Sequence, residues 1–360
     1  MYPFLRENGS SRVISSVTAA VAVTVTVAAL AGCSANTNGP PAASSTTATP
    51  DANVSAAQAL EDAYATVVRN VLPSVVEIQT PTGLGSGVVF DPDGNIVTNA
   101  HVVGTSTTFR VTFANSATAV PATLVGAYPA GDLAVIRVRD AKGVKPATFG
   151  DSAALKVGDI VLAMGNPLGL TSSVTNGIVS ATGRTVAEPR TPDSPAGVLT
   201  NAIQTSAPIN PGNSGGALAD LNSQVIGIPT LAATVPELGG AAPGIGFAIS
   251  SNEAANIAKQ LIADGKVTNS GRASLNVTVK TVAGPEGTPI GVGVISLQAD
   301  GAAGTAGIKP GDIITAIDGS PTPTAEALQV AVATHKPGDV VRLSVLHPDG
   351  STAEVPVTLR

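Results

Sequence analysis

The sequence predicts a mainly β protein organised around two antiparallel barrels, and three observations carry that expectation. Short apolar, β-branched runs recur at 75–78, 87–90, 96–101, 108–113, 122–125, 133–138, 160–164 and 177–182, separated by glycine, proline and aspartate clusters such as Asp91-Pro92-Asp93-Gly94-Asn95. The 39 glycines and 27 prolines are about 18% of the 360 residues, above average yet short of a disordered composition. Aromatics are only 2%, so the cores must be built from valine, isoleucine, leucine and alanine. Many short strands at this spacing suit two barrels with a cleft between them.

The chain opens differently. Arg6 and Arg12 precede an uncharged stretch over 13–31 that ends in Leu30-Ala31-Gly32-Cys33. That tetrapeptide resembles a bacterial lipobox, which implies a signal peptide over 1–32 and a lipid on Cys33. Cys33 is the only cysteine, so no intramolecular disulfide can form. An uncleaved transmembrane helix is the rival reading, since the run is near the roughly 20 residues that span a bilayer, although hydroxyl residues dilute it. Either way the protein faces outward at the cell membrane. Residues 33–54, rich in alanine, serine, threonine and proline, read as a flexible tether averaging about 25 Å in reach.

Helical spacing of Leu60, Tyr64, Val67, Val68 and Val71 predicts a helix over 56–72, stopped by Pro73. After the strands, a second helix is expected beyond Ser250. Ser250 and Glu253 have capping-box spacing, Ala254, Ile257, Ala258, Leu261 and Ile262 mark one apolar face, and Gly265 ends it.

Chemistry concentrates at Asn210-Pro211-Gly212-Asn213-Ser214-Gly215-Gly216. A serine is a weak nucleophile unless a base takes its proton, and the oxyanion formed on attack needs fixed donors. Glycine at 212 lets the backbone turn tightly enough to aim the Gly212 and Ser214 N–H groups at one point, with Asn213 between them; losing one such donor costs about 3 kcal/mol of transition-state stabilisation. Taken alone, the pattern is a glycine-rich turn, so the rest of the chain must decide. Of the three histidines, His101 lies at the end of an apolar strand, whereas His335 and His347 lie far downstream and lack metal-ligand spacing. Asp132, at the head of the apolar run 133–138, is the best candidate to orient the imidazole, because a buried carboxylate needs a partner. Asp140, Asp151 and Asp159 compete for that role from turn-like settings.

The order histidine, aspartate, serine is that of the chymotrypsin-type double barrel. Thr98-Asn99-Ala100-His101-Val102-Val103, Gly131-Asp132-Leu133-Ala134-Val135, Ala163-Met164-Gly165-Asn166-Pro167-Leu168-Gly169 and Gly212-Asn213-Ser214-Gly215-Gly216 closely resemble the motifs of HtrA/Deg-type serine proteases. The resemblance implies a chymotrypsin-like protease domain over 55–266 with a His101, Asp132 and Ser214 triad. It also implies a PDZ domain, a β-rich α+β module, over 272–360. The PDZ likeness rests on 304–314, on Ile317-Asp318-Gly319, and on an expected helix over 324–334. Leu275, Asn276 and Val277 would form its carboxylate loop, with Asn276 where the family prefers glycine, and would capture peptide C-termini.

Pro208, Ile209 and Asn210 would line the pocket for the side chain before the cut. Neither Pro208 nor Ile209 carries charge, which predicts cleavage after small or medium aliphatic residues. Asn213 stands where digestive relatives pair an aspartate with a freed N-terminus, so activation by such a cut is not expected. Ser206, Pro208 and Pro229 depart from the family pattern, and Pro229 lacks the N–H that a substrate strand could use. The connection 83–87 lacks the long insertion of some relatives, which speaks against a large caged assembly. The implied partners are polypeptide substrates, C-terminal peptides and the membrane, and the implied assembly is a homotrimer. No cofactor or metal is expected. A net charge of −6 gives no footprint for nucleic acid. The alternative function is a peptide-binding or chaperone-like scaffold with a dormant protease fold.

Overall fold

Helix α1 (Ala52–Val71) leads into a 3-10 turn at Leu72–Ser74, where Pro73 stops the helix as its missing N–H requires. The computed structural model describes residues 52–360 apart from 82, 115, 117, 167–172, 189–196, 211 and 236–239. The expected signal peptide over 1–32, Cys33 and most of the expected tether therefore lie outside the described residues. Among those described, no helix is long and apolar enough to cross a membrane.

Six strands form the first closed barrel: β1 (Val75–Gln79), β2 (Leu84–Val89), β3 (Asn95–Thr98), β4 (Thr108–Phe113), β5 (Val120–Tyr128) and β6 (Leu133–Val138), in the order β1-β2-β3-β6-β5-β4. The continuous apolar runs are explained by burial on both strand faces. In β6, Ala134, Ile136 and Val138 fill the barrel, while Leu133 and Val135 join a second core outside it. That outer core also holds Val67 and Val71 of α1. Each fully buried valine, leucine or isoleucine contributes about 1.5–3 kcal/mol.

The second closed barrel comprises β7 (Ile160–Gly165), β8 (Ser173–Glu188), β9 (Gly197–Thr205), β10 (Ala217–Asp220), β11 (Val225–Val235) and β12 (Gly240–Ser250), in the order β10-β11-β12-β9-β8-β7. Val161 and Ala163 of β7 face its interior, and Leu162 and Met164 face the shared outer core. Strand β8 runs 16 residues, far beyond the expected 177–182. Its polar flanks hide the strand from a hydrophobic pattern, yet they pair with β7 on one side and β9 on the other.

Helix α3 (Ser251–Asp264) covers both barrels through Ala254, Ile257, Ala258 and Leu261, and Gly265 ends it in the left-handed region at φ 68°. The expected capping box does not form. Ser250 is the N-cap but makes no side-chain cap bond, and Glu253 instead pairs with Arg272.

The chain then builds a separate sheet from β13 (Val277–Ala283), β14 (Pro289–Leu297), β15 (Ile313–Ile317), β16 (Ser320–Pro321), β17 (Val340–Leu346) and β18 (Thr352–Thr358). Its order is β13-β14-β15-β17-β18, with β16 on β15. Helix α4 (Ala302–Thr305) and helix α5 (Ala325–Ala333) close over it, and Thr324 caps α5 through the Ala327 N–H. Leu275, Val292, Ile314, Leu328 and Leu343 belong to its own core.

Candidate active site

Strand β3 stops at Thr98, and Asn99 N-caps a four-residue helix, α2 (Ala100–Val103), whose second residue is His101. The histidine thus sits in a short helix three residues beyond the observed strand end, whereas the sequence places it at the end of a strand. Asp132 follows a 3-10 turn at Pro129–Gly131 and adopts the left-handed conformation, φ 49°, with its N–H on Pro129 O at 3.1 Å. This fold-back carries the carboxylate inward, where its side chain is only 1% exposed.

The burial is compensated. His101 Nδ1 lies 3.0 Å and 2.9 Å from the two Asp132 carboxylate oxygens, and the His101 N–H donates to Oδ1 at 3.0 Å. Thr230 Oγ1 donates a short hydrogen bond to Oδ2. Asn99 Nδ2 donates to the Asp132 carbonyl at 3.0 Å. The carboxylate therefore selects the His101 tautomer protonated on Nδ1, which makes Nε2 an acceptor. The competitors are spent on turns: Asp140 accepts from Lys142 N–H, Asp151 from Ala153 N–H, and Asp159 from Lys156 N–H. The Asn252 side-chain amide, then the Ala153 N–H, hold the exposed Asp151 carboxyl below its ordinary value.

Ser214 comes from the second barrel. Its hydroxyl donates to Thr230 O at 3.1 Å, so Thr230 touches both the aspartate and the serine. A hydroxyl has one proton, so while this bond stands Ser214 donates to no other acceptor. Ser86 ties the barrels together beneath the turn. Its N–H donates to Ser214 O at 3.0 Å, its hydroxyl donates to Gly212 O, and it accepts from Asn166 N–H at 2.9 Å. Gly215 is enforced by contact. A Cβ there would lie 2.2 Å from Ser86 O and 2.5 Å from Thr98 Oγ1, at a φ of 81°.

The oxyanion turn needs Gly212 at φ 118°. Asn213 plays a different part from the one its place in the turn suggested. Its N–H goes to Asn210 O at 3.1 Å, which leaves the Gly212 and Ser214 N–H groups as the candidate donors of this turn. The Asn213 side chain, on a residue 3% exposed, accepts from Asn210 N–H and donates to Pro208 O, each at 3.0 Å. It thus staples the whole 208–210 segment to the nucleophile turn. Ile209 is buried at 6% exposure. The Pro229 carbonyl accepts from Gly215 N–H at 2.9 Å, and β11 bulges just after it.

In the C-terminal sheet, Asn276 takes a left-handed φ of 56°, the conformation that explains a glycine preference and that asparagine tolerates. Its side-chain oxygen accepts from Ala302 N–H at 3.3 Å, while its own N–H is held by Ser274 Oγ at 2.9 Å. Leu275, Val277, Leu328 and Val332, with Val198 and Thr200 of the second barrel, line a cavity of about 320 Å³. His347 Nδ1 sits 2.8 Å from the buried Asp312, and His335 lies 3.6 Å from Asp318 and 3.8 Å from Asp339. Among the described residues no cluster of histidine, cysteine and acidic side chains could hold a metal ion.

Two six-stranded closed barrels, with a buried aspartate paired to a histidine and joined through Thr230 to a serine of the second barrel, have the architecture of a trypsin-like serine peptidase. Residues 85–228 match the trypsin-like peptidase domain, and residues 243–359 match the PDZ domain. The latter match takes in part of β12 and all of α3, which the structure packs with the barrels. Serine protease PepD of Mycobacterium tuberculosis is 39% identical over 338 residues, covering 89% of this chain and 70% of PepD. Serine protease Do-like HtrA of Lactobacillus helveticus is 39% identical, covering 76% and 68% respectively. Periplasmic serine endoprotease DegP of Escherichia coli K12 is 38% identical, covering 77% of this chain and 57% of DegP. Among solved structures, a serine endoprotease from Yersinia pestis superposes with a TM-score of 0.52 at 33% identity, covering 82% of this chain and 97% of that one. The HtrA-type protease AlgW with a tripeptide gives a TM-score of 0.54 at 34% identity, with the same coverage. The chain belongs to the HtrA/DegP-type serine proteases.

Thr230, Asn99 and Ser86 were not singled out from the sequence. The available signal was a hydroxyl or amide within an otherwise apolar strand or at its end, as in Val225-Ile226-Gly227-Ile228-Pro229-Thr230.

Proposed function

We propose that this serine protease is an extracytoplasmic endopeptidase, held at the membrane by a lipid on Cys33, that cuts unfolded or exposed polypeptide after small aliphatic residues. Ser214 Oγ attacks the scissile carbonyl carbon and passes its proton to His101 Nε2. His101 then gives that proton to the leaving amine, and water releases the acyl group by the reverse route. Asp132 fixes the tautomer and stabilises the imidazolium, and the Gly212 and Ser214 amides receive the oxyanion. The observation that carries this reading is the buried Asp132 carboxylate, paired with both the backbone and the ring of His101 across from Ser214.

The division is a signal peptide over 1–32, a tether over 33–54, a protease domain over 55–266 and a PDZ domain over 272–360. Relatives described as periplasmic support the outward location. The uncharged Pro208 and the buried Ile209 support an aliphatic preference. Leu275, Asn276 and Val277 receive a peptide C-terminus beside α5. Two features favour a peptide there: AlgW has been solved with a tripeptide and with a decapeptide, and buried Thr200 Oγ1, unpartnered among the described residues, lines the adjoining cavity. The working assembly is a homotrimer, as the family resemblance implies.

Casein digestion by the full-length protein beside Ser214→Ala, with the cut sites read by mass spectrometry, tests the proposal. Cuts after valine, alanine or leucine that vanish in the variant are expected. Dominant cutting after arginine or lysine would refute the specificity, and equal cutting by both proteins would refute the nucleophile.

A further inference from the structure

Arg272 lies in the segment that joins α3 to the C-terminal sheet, yet its side chain is 13% exposed and points back into the barrels. Nε donates to Glu253 Oε1 at 3.0 Å, and Nη2 donates to the same oxygen. Nη1 donates to Ala130 O at 3.0 Å and to Val198 O at 2.6 Å. The guanidinium also sits 5.8 Å from the centre of the Tyr128 ring.

These partners come from separate pieces of the molecule. Ala130 belongs to the 3-10 turn of the first barrel, Val198 to β9 of the second, and Glu253 to α3. Ala130 is two residues before Asp132, inside the fold-back whose left-handed last step aims the carboxylate at His101. Contact is close enough to fix the residue between them, because a Cβ on Gly131 would lie 2.7 Å from the Tyr128 ring and 3.0 Å from Arg272 Nη2. Lysine could not reproduce this set. One ammonium cannot present a rigid planar fork to a carboxylate and two carbonyls at once.

We propose that Arg272 is a positioning residue for Asp132: one guanidinium fixes the aspartate's turn against the second barrel and links it to the connection leading into the PDZ domain. The inference rests on the triad assignment made above. It reaches the reaction through the imidazolium, because a displaced Asp132 no longer stabilises the charge His101 gains when Ser214 attacks. A device that only held the fold together would not alter that charge.

The test is covalent labelling of Ser214 in the full-length protein by a fluorophosphonate, which reports the triad without a peptide substrate. Arg272→Met leaves Glu253 buried without its cation and is expected to lower stability. The double change Arg272→Met with Glu253→Leu removes that unpaired charge and restores packing. In both proteins the maximal labelling rate is expected to fall at least tenfold with the probe's half-saturating concentration unchanged. The acid limb of the rate profile is expected to move to lower pH, as the imidazolium loses its partner. Arg272→Lys should recover less than a third of the lost rate. A stable double variant that labels at the parent rate, or one that slows with its acid limb unmoved, overturns the inference. Absence of labelling at Ser214 in the parent brings down the triad assignment and this inference with it.

Discussion

Thr230→Val removes one hydroxyl and little else. The side chain keeps its shape, and the Thr230 carbonyl that accepts from Ser214 stays in place, but Asp132 Oδ2 loses a donor. Asp132 is 1% exposed, so water cannot easily take that donor's place. A hydrogen bond to a buried charged group contributes about 1.5–3 kcal/mol, and about 2 kcal/mol is the working figure here. For a protease domain of this size, each kcal/mol lowers the melting temperature by about 2–4 °C, so a fall of roughly 4–8 °C is expected. The carboxylate matters most while the imidazolium exists. If the same 2 kcal/mol is felt there, turnover falls about thirtyfold. The assay is fluorescent casein turnover together with a thermal melt, and Thr230→Ser, which keeps the donor, is the control. Turnover within twofold of the parent and an unchanged melt in Thr230→Val would refute the view that this hydroxyl holds the aspartate.

Three further perturbations follow from the geometry. Gly215→Ala drives a methyl group into Ser86 O and Thr98 Oγ1 at a left-handed φ, so a loss of about 3 kcal/mol or more is expected in urea unfolding, and a loss under 1 kcal/mol would contradict the contact argument. Ser274→Ala frees the Asn276 N–H from the hydroxyl that now occupies it. Binding of a peptide with a free C-terminus, measured by fluorescence polarisation, should tighten about threefold to tenfold, while weaker binding would show that the hydroxyl itself holds the ligand. Burial raises the Glu253 carboxyl above its ordinary value, and Arg272 offsets this only in part. A folded-state value above the unfolded one means that the native protein holds the proton more tightly. The contribution is then complete below the unfolded value and is lost as pH rises through the folded one. Melting temperatures of Glu253→Gln should therefore fall less between weakly acidic and neutral pH than those of the parent, and parallel curves would refute the shift.

Legibility in the sequence followed the range of the forces involved. The candidate residues His101, Asp132 and Ser214 stand out because local signals surround each one: a β-branched run before the histidine, an apolar strand after the aspartate and glycines around the serine. The first barrel was readable because its strands are short apolar runs bounded by turns, whereas of the second barrel only β7 and the middle of β8 gave such runs. Strand β8 was mostly missed, since its flanks satisfy backbone pairing through neighbours and carry no hydrophobic pattern of their own. Glu253 showed capping-box spacing, but an arginine 19 residues later outcompetes the local N–H, and no local window contains both. Thr230 and Ser86 act across barrels, 98 and 126 residues from the partners their hydroxyls reach, so only the folded chain reveals them. Asn213 lies within the glycine-rich turn the sequence marks, but its role as a staple for 208–210 depends on both ends of its amide and exists only in the folded chain.

The most direct test of the central claim is intact-mass analysis of the full-length protein after fluorophosphonate treatment, with the adduct mapped by peptide sequencing. The account predicts a single adduct on Ser214, absent in Ser214→Ala and formed at least a thousandfold more slowly in His101→Ala, because the serine depends on that base for its nucleophilicity. An adduct on any other residue, or equal labelling rates with and without His101, would contradict it.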